Sequence, residues 1–155
     1  MIEGKTAALL AACAEMGALL GGANAERQRS FHAFGTSLGL AFQALDDILG
    51  IWGDETLTGK SATSDLVTGK KTLPVLYGLQ QNGEFARRWL AGSIAAADAP
   101  ELAALLEAEG AREYTQSRAD RLTTEALSAL NQASSPGDPA DSLHQLTLSL
   151  LHRQQ

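Results

Sequence analysis

The sequence predicts an all-α fold, and three observations carry that reading. Alanine and leucine dominate, aromatic residues are only 5% of the chain, and runs of β-branched residues are few, a composition that favours helix. Apolar residues recur at helical spacing in segment after segment, with no period-two alternation of the kind a strand needs. The prolines fall in loops or first turns, and Gly21-Gly22, Gly53, Gly83 and Gly110 stand where helices would end. The result is a set of helices joined by short polar breaks, in a chain of 155 residues that is long enough for one domain.

The elements follow in order. Residues 5–20 are good helix formers ended by Gly21-Gly22. Residues 26–52 form a second, longer pattern, polar at its start (Glu26, Arg27, Gln28, Arg29) and apolar later, with Gly53 as the break. Residues 53–71 are rich in Gly, Thr, Ser and Lys without apolar periodicity and read as a loop. Pro74 suits the first turn of a helix over "PVLYGLQQ", capped by Thr72 or Leu73 and stopped near Asn82-Gly83. "EFARRWLAG" reads as a short helix. "DAPELAALLEAEGA" opens with Pro100 in its first turn and Asp98 or Ala99 as cap. Helix resumes over 111–132 after Gly110. "SSPGDPAD" is a loop, and Asp138-Pro139 starts a last helix through residue 152.

Composition also excludes partners. A net charge of −6 argues against nucleic acid, which demands a basic face. One cysteine, Cys13, leaves no intrachain disulfide and no cysteine-based zinc site, consistent with a reducing, cytoplasmic setting. "LAAC" at 10–13 resembles a lipobox. The apolar run before it is short, Glu3 and Lys5 give no positive bias, and the apolar pattern continues past the cysteine, so a helix of the domain is expected there. No apolar run reaches the ~18 residues needed to span a bilayer.

The segment "LGLAFQALDDILGIWGD" (38–54) is the most informative. On a helix, Gln43, Asp46, Asp47 and Gly50 stand at i, i+3, i+4 and i+7 and share one face, with Gly39 and Asp54 one turn beyond at either end. Leu38, Leu40, Phe42, Leu45, Ile48, Leu49, Ile51 and Trp52 make the rest of the wheel apolar, so the helix is expected to be buried with its polar stripe facing an internal cavity. Two adjacent carboxylates there repel each other and lose hydration. Either one takes a proton or a cation supplies the missing charge. Hard oxygen donors select Mg²⁺ or Ca²⁺, and Mg²⁺ takes one or two carboxylates, completing its octahedron with water and substrate phosphate. The alternative is a plain helix cap or solvated edge. Downstream, Lys60, Lys70 and Lys71 lie in the loop, and Lys5-Thr6 adds an ammonium and a hydroxyl. Lysine ammoniums beside a carboxylate–metal site suit a diphosphate, although any one of them alone reads as a solvated surface lysine.

Together these residues resemble the C-terminal half of the trans-isoprenyl (polyprenyl) diphosphate synthase family. "GKT" (4–6), "GLAFQALDDILG" (39–50) and the lysine loop ending "GKKTLP" (69–74) run in the family's order. The resemblance implies about half of an isoprenoid-synthase helical bundle. It implies Mg²⁺ on Asp46 and Asp47, support from Gln43, and diphosphate oxygens held by Lys5, Lys60 and Lys70 with the Thr6 hydroxyl. Lys70 is preferred to Lys71, and Asp65 matches a recurring acidic position. The implied reaction is ionisation of an allylic diphosphate, attack by isopentenyl diphosphate on the cation, and proton loss. Two departures stand out. Gly50 occupies the place of a third aspartate, with Asp54 as a partial substitute. No first aspartate-rich motif or arginine pair for isopentenyl diphosphate is found, so the chain is expected to be a homo-oligomer, or a piece completed by a partner chain that supplies the N-terminal half. The alternatives are a terpene cyclase of the same fold or a non-catalytic helical subunit.

Overall fold

A computed structural model describes residues 3–53, 63–134 and 137–152. Among the described residues all regular structure is helical. A π-helical turn, Glu3–Ala7, leads into α1 (Ala8–Leu20). Then come α2 (Ala25–Trp52), α3 (Ser64–Val67), α4 (Leu73–Gln81) and α5 (Glu84–Leu90). The last three are α6 (Ala99–Ala108), α7 (Ala111–Ala133) and α8 (Asp138–His152). Helix ends fall where the sequence places them, although neither Thr72 nor Asp98 makes a side-chain capping bond. Thr72 precedes α4 with Pro74 in its first turn, Asn82 ends it in the left-handed region (φ 53°), and Asp98 precedes α6. At α2, the Asn24 side chain accepts the Arg27 amide at 2.9 Å, the orphan-donor capping that favours asparagine at a helix start.

The chain divides into two compact units: Met1–Gln43 with Arg118–Gln155, and Ala44–Ser117. In the first unit α1 lies directly on α2. A Cβ at Gly35 would meet the Ala11 Cα at 2.6 Å, and one at Gly39 the Ala7 Cα at 2.6 Å, so this i, i+4 glycine pair lets two backbones touch. The sequence reading set Gly39 at the end of the polar stripe; its place is in this helix contact. The start of α2 is tied to the end of α7, where Arg27 Nε donates to the Ala133 carbonyl at 2.7 Å. An apolar trough of about 600 Å³ runs between α1, α2 and α8, walled by Leu10, Cys13, Phe31, Phe34 and Leu146 among others.

In the second unit Ile51, Leu66, Val75, Phe85, Leu102 and Leu106 form the core. Gly78 matters here because a Cβ would strike the Leu106 and Phe85 side chains. No side chain of Gly83 can cap α5. Instead Glu109 Oε1 accepts the Phe85 amide at 3.0 Å.

Two sequence expectations change. The segment 53–71, read as a loop, contains the one-turn helix α3, held because Leu66 is fully buried in the core. One buried side chain in four residues is too little periodicity to read. And α2 is not buried all round: Leu38, Leu45, Ile48 and Ile51 are buried, but Phe42 is 39% exposed.

Candidate active site

Asp46 and Asp47 are consecutive on α2, so their side chains leave the helix about 100° apart and meet different surroundings. Asp47 is buried, 1% exposed, whereas the Asp46 side chain is 41% exposed. The expected inward stripe is thus half inward. A buried carboxylate must be hydrogen-bonded. Asp47 Oδ2 accepts the Leu73 amide at 3.0 Å, and its Oδ1 lies 3.5 Å from Lys70 Nζ. Leu73 is the first residue of α4, and its cap Thr72 makes no side-chain capping bond. The buried Thr72 hydroxyl has no hydrogen-bond partner among the described residues. Asp47 therefore does the capping from another helix, and its negative charge faces the positive end of α4.

The second arm of the cluster comes from α3. Asp65 Oδ2 accepts Lys70 Nζ at 2.8 Å, and the Asp65 carbonyl accepts the Lys70 amide at 2.9 Å. Gly69, at φ +67°, makes the turn between them, a conformation that suits glycine. Lys70 Nζ is also 4.0 Å from Asp46 Oδ2. One half-exposed ammonium thus meets three carboxylates. Partial burial pulls the Lys70 pKa down. The hydrogen bond to Asp65 and the charges of Asp65, Asp47 and Asp46 outweigh it, and the net shift is above the ordinary 10.5.

Of the other expected site residues, Gln43 and Thr6 belong to the first unit, where Thr6 Oγ1 lies 3.5 Å from Gln43 Oε1. Lys5 is exposed in the same unit. Lys60 and Asp54 lie outside the described residues. Among the described residues no ion pair involves Lys71. Sequence reasoning placed Asp65 only at a recurring acidic position and missed its hold on Lys70. It also missed the Leu73 amide; the one available signal was a buried-looking aspartate ahead of a helix whose own cap is a threonine.

Asp46 and Asp47 offer hard carboxylate oxygens, and Asp46 opens to solvent, which fits Mg²⁺ in kind. Among the described residues no three His, Cys, Asp or Glu side chains form a metal cage. A cation here would complete its shell with water and phosphate oxygens, the usual habit of Mg²⁺.

The sequence model of the polyprenyl synthetase family matches residues 1–107. The chain belongs to the polyprenyl synthetase family. Within the family it is 44% identical to a (2E,6E)-farnesyl diphosphate synthase of Mycobacterium tuberculosis, over 99% of this chain and 45% of that protein. It is 35% identical to a geranylgeranyl diphosphate synthase of Sulfolobus acidocaldarius, over 100% of this chain and 48% of that protein. The crystal structure of a geranylgeranyl pyrophosphate synthetase from Pyrococcus horikoshii superposes with a TM-score of 0.87 at 32% identity, covering 98% of this chain and 47% of that one. The chain spans about half the length of the curated relatives it matches.

Proposed function

We propose that residues 1–155 form the C-terminal, diphosphate-ionising part of a prenyltransferase that joins an allylic diphosphate to isopentenyl diphosphate. The observation that carries this reading is the convergence of Lys70 on Asp46, Asp47 and Asp65, an ammonium and hard oxygen donors side by side. Family membership and the names of the relatives support it.

In this reading Asp46 and Asp47 would hold Mg²⁺, with Asp47 also fixing the start of α4. Lys5, Lys60 and Lys70 would hold diphosphate oxygens, Thr6 would add a hydroxyl, and Gln43 would support the metal site. Bound Mg²⁺ supplies charge neutralisation that makes diphosphate a better leaving group. The lysines supply fixed positive charge where negative charge grows as the allylic C–O bond breaks. Apolar walls keep water from the allylic cation until isopentenyl diphosphate attacks and a proton is lost. The binding groups for isopentenyl diphosphate would lie on an N-terminal half. Leu9, Met16 and Leu20, spaced for one face of α1 and exposed at 57–81%, fit an element that expects a cover. A cytoplasmic location agrees with the described helices, none of which is long and apolar enough to cross a membrane.

The test incubates the chain with allylic diphosphate, isopentenyl diphosphate and Mg²⁺, with and without a matching N-terminal half. A longer linear diphosphate is expected only with both halves, and Mg²⁺-dependent inorganic diphosphate binding with this chain alone. A cyclic hydrocarbon would indicate a cyclase. No product in either mixture and no binding would overturn the reading.

A further inference from the structure

Gly50 occupies the stripe position one turn after Asp46 and Asp47, where the sequence reading found a carboxylate missing and looked to Asp54 for a replacement. The space at Gly50 is already filled. A Cβ built there would overlap the Asp65 carboxylate, coming 2.6 Å from its Cγ. That carboxylate is 16% exposed, and its Oδ2 is the atom bound to Lys70 Nζ at 2.8 Å. Asp65 holds Lys70 at both ends, through its own carbonyl at 2.9 Å and its side chain. Thr68 Oγ1 contacts the same carbonyl at 3.3 Å and further fixes the turn.

We infer that Asp65 is a positioning residue for Lys70, holding its ammonium beside Asp46 and Asp47, and that Gly50 is the clearance that admits the Asp65 carboxylate. In effect, a carboxylate from α3 takes the space of a side chain at position 50. Because a carboxylate end can swing aside, an added methyl at position 50 displaces Asp65 rather than unfolding α2. Alanine in fact suits a helix interior better than glycine. The consequence for diphosphate rests on the proposed role of Lys70 as its ligand; the geometric link between Gly50, Asp65 and Lys70 does not.

The experiment is a double-mutant cycle in the whole chain: wild type, Gly50→Ala, Asp65→Ala and the combination. Two quantities are read. The first is the ¹⁵N resonance of the Lys70 ammonium in lysine-labelled protein at one fixed pH, assigned with Lys70→Ala. The second is the affinity for inorganic diphosphate with Mg²⁺. Each single variant should shift or broaden the Lys70 resonance and weaken binding by about tenfold, within the range seen for coupled neighbours. The combination should match Asp65→Ala alone, because without the carboxylate there is nothing for the methyl to displace. In that background Gly50→Ala should raise the urea midpoint. A Lys70 resonance untouched by Gly50→Ala, or effects of the two changes that simply add, overturns the inference. If wild type binds no inorganic diphosphate, the proposed function loses one of its two supports, and the Lys70 resonance alone still decides the link.

Discussion

At the scale of single residues, the two neighbouring aspartates are unequal. Asp47 is sealed and bonded to the Leu73 amide, so its removal leaves a part-buried donor without that acceptor. Asp47→Ala should cost about 1–3 kcal/mol in urea unfolding, roughly 2–4 °C of melting temperature per kcal/mol for a chain of this size. Asp46 is half-exposed, and Asp46→Ala should change stability by no more than about 0.5 kcal/mol while abolishing Mg²⁺-dependent diphosphate binding. Equal losses of stability in the two variants would contradict this division. Lys70 gives a pH prediction. Its folded pKa is raised, so its ion pairs stabilise fully below the unfolded value and are lost as pH climbs through the folded one. The stability gap between wild type and Lys70→Met should stay flat through neutral pH and close only above about 10.5. A gap closing near neutrality would mean another group is responsible.

At the scale of elements, what was legible was what is encoded locally. Pro74, Asn82, Pro100 and Gly110 mark helix ends because proline lacks an amide and the left-handed turn suits asparagine or glycine. The spacing of Gln43, Asp46 and Asp47, equally local, marks the face of α2 on which the site is proposed. What could not be read depends on partners distant in sequence. Nothing near Asp47 announces the Leu73 amide 26 residues away. Nothing near Gly50 announces Asp65, and α3 exists because Leu66 reaches a core built mostly from later helices. Gly39 is the plainest case: on the helical wheel it extends the polar stripe, yet it makes room for Ala7. Gly39→Val should push α1 off α2 and cost about 1–3 kcal/mol, as overpacked contacts do. Circular dichroism melting checks it, and an unchanged midpoint would mean that the two helices separate freely.

At the scale of the whole molecule, the first unit leaves apolar surface uncovered in a chain that spans about half the length of its relatives. Leu9, Met16, Leu19 and Leu20 are all more than half exposed on α1, and the trough between α1, α2 and α8 has apolar walls. Monomers seldom keep contiguous apolar patches of this kind unless a partner covers them. Expressed alone, the chain should therefore self-associate at micromolar concentration, and a matching N-terminal half should return it to one defined stoichiometry by light scattering. Persistent aggregation with that half present would count against the pairing. Cys13 gives this surface a practical value. It is the sole thiol of the sequence, it is exposed, and it stands on the wall of the trough. A thiol-reactive dye thus has one address on this protein. The rate at which it couples becomes a clock for how long that wall stays open, readable in a mixture without purifying whatever closes it.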